Sequence, residues 1–78
     1  ITSSQIKAAR ALLGITVAKL AELSGVAYTT VVRIESSEGI PSGQVKTLDA
    51  VQKTIEDAGI EFIGTPEDGA GVRWKSKK

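Results

Sequence analysis

The sequence holds no cysteine, no histidine and no methionine, and only three aromatic side chains: Tyr28, Phe62 and Trp74. Without Cys or His there is no thiol nucleophile, no disulfide, no imidazole acid–base group and no zinc site of the usual ligand types. The lack of Cys fits an intracellular chain, although many secreted domains lack it as well. No apolar run approaches the ~20 residues of a membrane span, and nothing at the amino end resembles a signal peptide. The chain opens on Ile1 rather than Met, which points to missing leader residues. With so few aromatics, the core has to be assembled from Ile, Leu, Val and Ala.

Seventy-eight residues with 41% hydrophobic content and a mean hydropathy near zero describe one ordinary soluble globular domain. A chain of this size buries only about 60–65% of the surface it exposes when unfolded, so its core is small. The net charge of +1 singles out no partner. Residues 1–59 are balanced, with Lys7, Arg10, Lys19, Arg33, Lys46 and Lys53 against Glu22, Glu35, Glu38, Asp49, Glu56 and Asp57. Acids continue through Glu61, Glu67 and Asp68 before a basic close at Arg73, Lys75, Lys77 and Lys78. A nucleic-acid binder is usually more basic than this. Carboxylates are present, but no nucleophile–base pair or metal cluster accompanies them. No enzyme is expected, and no cofactor, metal or small-molecule ligand.

Apolar spacing lays out four helices. Ser3 or Ser4 can cap the first, in which Ile6, Ala9, Leu12 and Leu13 recur at three and four, and Gly14 stops it. Thr16 can cap the second, with Ala18, Leu20, Ala21 and Leu23 available for burial and Gly25 as its end. Ala27 opens a third, with Val31 and Ile34 inward, which fades in Ser36-Ser37-Glu38-Gly39. Pro41 restricts Ile40 to extended geometry, so 40–43 reads as a loop. The fourth helix runs from about Gln44 or Thr47 to Ala58, burying Val45, Leu48, Val51 and Ile55, with Gly59 as its stop. "IEFIG" and "VRWK" then alternate in period two around a turn-rich "TPEDGAG", as two short strands would.

The stretch "LAELSGVAYTTVVRIE", residues 20–35, carries most of the functional signal. Ala21 lies one helical turn before Gly25, on the side where a following helix must cross. Small residues there allow close approach, and Gly25 can take the positive φ of a sharp turn. With Val31 and Ile34 facing in, Thr29, Val32, Arg33 and Ser36 face out, and Tyr28 sits at the exposed amino end. A helix docked only for packing commonly shows a Glu- and Lys-rich outer face. This one shows hydrogen-bonding and methyl-bearing groups of the sort that read base edges.

With "ITVAKLAELSGVAYTTVVRIE" and the lead-in "IKAARALLGIT" in view, residues 5–58 resemble the phage-repressor (Cro/repressor, XRE-type) helix-turn-helix family. Ala21, Gly25, Val31, Ile34 and Glu35 all fall in step with its motif. The resemblance implies a small transcriptional regulator binding double-stranded DNA, its helix of residues 27–37 in the major groove. It implies base contacts from Tyr28, Thr29, Thr30, Val32 and Arg33, with Thr30 or Val32 meeting a thymine methyl. Phosphate contacts are implied at Thr16, Val17 and Lys19, and at Ser42, Gly43, Gln44 and Lys46. Arg10 and Glu35 match a family ion pair with a structural role. Two departures stand out: Val17 replaces a frequent Gln, and Ala27 replaces a frequent capping Ser, Thr or Asp.

The fold expected is mainly α. It comprises a four-helix, repressor-like helix-turn-helix domain over 1–59 and a short β-hairpin or strand arm over 60–75, with a disordered tail at 76–78. Two strands alone are marginal in water, so they either pack on the helices or pair with a second chain. A homodimer through Ile60, Phe62, Val72 and Trp74, reading an inverted repeat, follows from the limited reach of a single module. The location expected is the cytoplasm, for a bacterial or phage-encoded protein associated with the nucleoid when bound, with no membrane. A protein-interaction or antitoxin-like adaptor, using the same helices as a docking surface, is the alternative. Lys7 and Lys53 read as solvated charges, and "KSKK" as a weak phosphate attractor or a solubilising tail.

Overall fold

The computed structural model describes residues 1–36, 45–65 and 67–75. Four helices precede an antiparallel hairpin: α1 (Ser3–Leu13), α2 (Val17–Ser24), α3 (Tyr28–Ser36), α4 (Val45–Asp57), β1 (Ile60–Thr65) and β2 (Asp68–Trp74). The molecule measures 34 × 26 × 20 Å.

Each helix contributes one narrow apolar stripe. Ile6 and Ala9 of α1, Leu20 and Ala21 of α2, Val31 and Ile34 of α3, and Val51 and Ile55 of α4 form one buried cluster. Leu12, Leu23 and Val45, expected inside, are 41%, 52% and 72% exposed, and Ala18 is exposed too. At about 100° per residue each lies roughly 90–110° off its helix's stripe, beyond the reach of so small a core. Leu13 and Leu48 remain partly buried against the cluster.

The amino end corrects the expected cap. Thr2, not Ser3 or Ser4, caps α1: its hydroxyl accepts from Gln5 N–H at 3.1 Å, and Gln5 Oε1 accepts from Thr2 N–H at 2.8 Å. This reciprocal pair satisfies two otherwise orphaned donors. Ser3 is left for another task. Its hydroxyl, 1% exposed as a residue, donates to the Ile34 carbonyl at 2.7 Å near the carboxyl end of α3.

The strands are longer than the sequence pattern drew them, and the turn is shorter. They pair within the chain, Ile60 with Trp74, Glu61 with Arg73, Phe62 with Val72 and Ile63 with Gly71. Lys75 N–H extends the ladder to the Gly59 carbonyl at 2.8 Å. A bulge near the turn brings Gly64, at φ 76°, so close to Gly69 that a Cβ would collide with its carbonyl oxygen. Any side chain there has to open the turn.

Nor is the hairpin a free arm. Ile60 is 0% exposed and belongs to the helical core, with Phe62 and Val72 packed against it. Gln5 completes the joint: its Nε2 donates to Ile63 O at 3.1 Å and to Gly71 O at 2.9 Å. One buried amide therefore closes the α1 cap and clasps both strands.

Candidate nucleic-acid interface

The surface of interest begins at the α2–α3 turn. Thr16 caps α2, its hydroxyl accepting from Lys19 N–H at 3.1 Å. Gly25 ends it in the left-handed region at φ 72°, and the N–H groups of Gly25 and Val26 both donate to Ala21 O, at 3.0 and 3.2 Å. These two hydrogen bonds to one carbonyl turn the chain sharply within three residues, while half-buried Val26 anchors the turn on the core. Ala21 is 7% exposed, and its methyl keeps the crossing helices close. The Ala27 carbonyl accepts from Thr30 and Val31 N–H at 3.0 and 3.1 Å, and the Ala27 methyl side chain offers no cap to the first N–H groups of α3.

Among the described residues, ties from α1 hold α3 in place beyond its apolar contacts. Glu35 is 6% exposed. Its carboxylate accepts from Arg10 Nε and Nη2, both at 3.0 Å, while Arg10 Nη1 donates to Ile15 O at 3.2 Å. The fork-to-carboxylate geometry fixes direction as well as distance. The Ser3–Ile34 bond is the second tie. Both run from α1 to the carboxyl half of α3, so the helix cannot roll without breaking them. Arg10 and Glu35 form the ion pair expected of them.

What α3 turns outward is then fixed. Val31 and Ile34 are 0% and 2% exposed, whereas Tyr28 is 55% and Val32 41% exposed. Thr29 and Arg33 are exposed and Thr30 is half-buried. Ser36 is exposed as well, but its hydroxyl donates back to Val32 O at 2.8 Å. The five residues expected to meet bases thus share one helix, with Thr30 at the margin of its outer face.

The expected phosphate positions divide. Thr16 is exposed and Lys19 reaches Glu22 at 3.4 Å in a solvated i,i+3 pair. Such a pair is worth little and readily exchanges for another anion. Val17 is half-buried against the core, so it offers an anion only its backbone N–H. Lys46 is exposed in the first turn of α4, and Ser42, Gly43 and Gln44 lie outside the described residues.

Of the set expected at a dimer contact, Ile60 sits inside the protomer's own core, so it is unavailable to a partner. Phe62 and Val72 are half-buried. Trp74 is 52% exposed, with its ring 3.5 Å from where a Gly59 Cβ would be. On the opposite face of the hairpin, Arg73 Nε donates to Glu61 Oε1 at 2.9 Å. That hydrogen bond and the guanidinium charge hold the Glu61 carboxyl below its ordinary value. Among the described residues no three His, Cys, Asp or Glu gather to hold a metal, and no helix is long and apolar enough to cross a membrane.

The sequence offers Ser3 only as a helix cap and gives Gln5 no role, yet both tie α1 to other elements. The signal for Gln5 was present, since "TSSQ" has the Thr-x-x-Gln spacing of a capping box. Nothing local announces its clasp on the strands.

A protein-family model described as helix-turn-helix matches residues 6–45. No curated protein matches the chain.

Proposed function

The chain belongs to the helix-turn-helix family of XRE type, and from that premise we propose that it is a sequence-specific reader of double-stranded DNA acting as a small transcriptional regulator. The observation that carries the reading is the outer face of α3. It is fixed by the Arg10–Glu35 fork, excluded from the core, and dressed in side chains that suit base edges. In this reading α3 lies in the major groove. Arg33 donates to guanine O6 and N7, Tyr28, Thr29 and Thr30 supply hydroxyls, and Val32 supplies an apolar surface.

Thr16, Lys19 and Lys46, with the backbone N–H of Val17, hold phosphates on either side and set the register without reading sequence. The segment containing Ser42, Gly43 and Gln44 joins them on the α4 side. Two copies read an inverted repeat with half-sites about one helical turn, ~34 Å, apart. Trp74 and the outer hairpin edges are the surfaces left for that pairing. The site of action is the nucleoid of a bacterial or phage-infected cell, and no catalysis is involved.

The near-neutral charge supports one competing reading, an adaptor that uses the same face to bind protein. Selection from a random duplex library at near-physiological salt, run beside Arg33→Ala, separates the two. An enriched inverted repeat, lost in the variant, is expected. Binding that only tracks salt, with no motif, would overturn the DNA-reading assignment. Sedimentation of the free chain and of its duplex complex tests the dimer, which a one-to-one complex on a full repeat would exclude.

A further inference from the structure

The amino end of α1 is a junction between the hairpin and the reading helix. Thr2 and Gln5 close their reciprocal capping box at 2.8 and 3.1 Å, which pins the backbone of residues 2–5 at both ends. From this box Gln5 Nε2 holds β1 at Ile63 O and β2 at Gly71 O, at 3.1 and 2.9 Å. Ser3, inside the same box, donates to the Ile34 carbonyl of α3 at 2.7 Å. Ser3 and Gln5 are both buried, so solvent offers neither a ready substitute partner.

The ties from α1 to α3 differ in stiffness. The serine hydroxyl reaches the α3 backbone through a single χ1 torsion, whereas the Arg10–Glu35 bridge spans two long side chains whose torsions absorb small displacements. A shift at the amino end of α1 is therefore passed to the α3 backbone chiefly through Ser3. Ile34 directly follows Arg33, and hydrogen bonds to base edges hold only within a distance window of about 0.5 Å.

We propose that Ser3 and Gln5 are positioning residues for α3: the clasped hairpin fixes the amino end of α1, and Ser3 carries that position to the reading helix. Resting on the DNA-reading assignment, this coupling makes the hairpin a determinant of base discrimination without any base contact of its own.

The test uses the full chain, the duplex enriched by selection and a scrambled duplex of equal length. Fluorescence anisotropy gives both Kd values for wild type, Ser3→Ala, Gln5→Leu and the double variant, at a temperature where circular dichroism shows each folded. The readout is the ratio of the two Kd values. Partial unfolding lowers the binding-competent fraction alike for both duplexes, so a merely structural role leaves the ratio unchanged. Each single substitution is expected to reduce the ratio about three- to tenfold, on the scale of one hydrogen bond. The double variant should fall no further than the larger single effect, because both substitutions cut one linkage in series. If Gln5→Leu does not fold, Gly64→Ala, which disturbs the hairpin from its turn, takes its place. A ratio within twofold of wild type in either single variant overturns the inference and leaves DNA reading standing. A double variant that loses the product of the two single effects also overturns it, because the residues then act separately. If selection enriches no duplex at all, both assignments fall.

Discussion

Gln5→Glu isolates the clasp between the helices and the hairpin. The substitution keeps the shape of the side chain and the oxygen that accepts from Thr2 N–H at 2.8 Å. It removes the Nε2 donor of the 3.1 and 2.9 Å bonds to Ile63 O and Gly71 O, and sets a carboxylate oxygen against two carbonyls. Each lost bond is worth about 0.5–1.5 kcal/mol, and a buried carboxylate facing carbonyl dipoles adds to that. A loss of about 2–4 kcal/mol at pH 7 is expected, against a total of about 4–12 for a domain of this length. In a thermal melt followed by circular dichroism this is a drop of roughly 10–30 °C.

The pH dependence gives the diagnosis. The new carboxyl has a folded-state pKa raised above its unfolded value, so protonation favours the folded state. Its penalty therefore appears as pH rises through the folded value and recedes at acid pH, where the O–H donates to one carbonyl. The stability gap to wild type should narrow between pH 7 and pH 4, while Gln5→Leu, with nothing to titrate, keeps a constant gap. A Gln5→Glu protein within 0.5 kcal/mol of wild type at pH 7, on the scale of a neutral surface change, would falsify the clasp. So would a gap that fails to narrow on acidification.

Arg10→Ala strands Glu35, 6% exposed, without its guanidinium. It should cost about 2–4 kcal/mol in urea titration, below the full price of a wholly buried pair because Arg10 is partly solvated. Gly25→Ala meets no atom within 4 Å and carries only the strain of φ 72°, about 1–2 kcal/mol. Gly64→Ala adds a collision with the Gly69 carbonyl to similar strain, so hydrogen exchange should show the hairpin turn opening in this variant and not in Gly25→Ala. For Glu61, whose carboxyl Arg73 holds below its usual value, the linked stability is present above the unfolded pKa and is lost as pH falls through the folded value. Carboxyl NMR should show Glu61 titrating low in wild type and returning to an ordinary value in Arg73→Ala; the pair is exposed, so melts should barely move.

Helix positions, the turn at Gly25, the inward pair Val31 and Ile34, and the outward Tyr28, Thr29, Val32 and Arg33 were legible from period and turn chemistry. These depend on contacts within a few residues, where spacing in sequence equals position on a helix. The Arg10–Glu35 pair was legible only through resemblance to a family, because the two residues are 25 positions apart. Burial was overestimated wherever an apolar residue bordered a stripe. Leu12, Leu23 and Val45 have the right chemistry, but among the described residues so small a core closes on nine buried hydrophobic side chains.

The sequence by itself determined four helices and a hairpin, the sharp turn at Gly25 and the chemistry carried by α3. Tertiary structure decided what those elements are fastened to. It drew Ile60 inward as a core residue, turned Ser3 from an expected helix cap into a donor for Ile34 O, and gave one Gln5 amide three partners, at the α1 cap and on both strands. The reason is physical: periodicity records which face of a segment is apolar, whereas a buried polar group needs partners of fixed geometry, and only the closed fold brings these from distant parts of the chain.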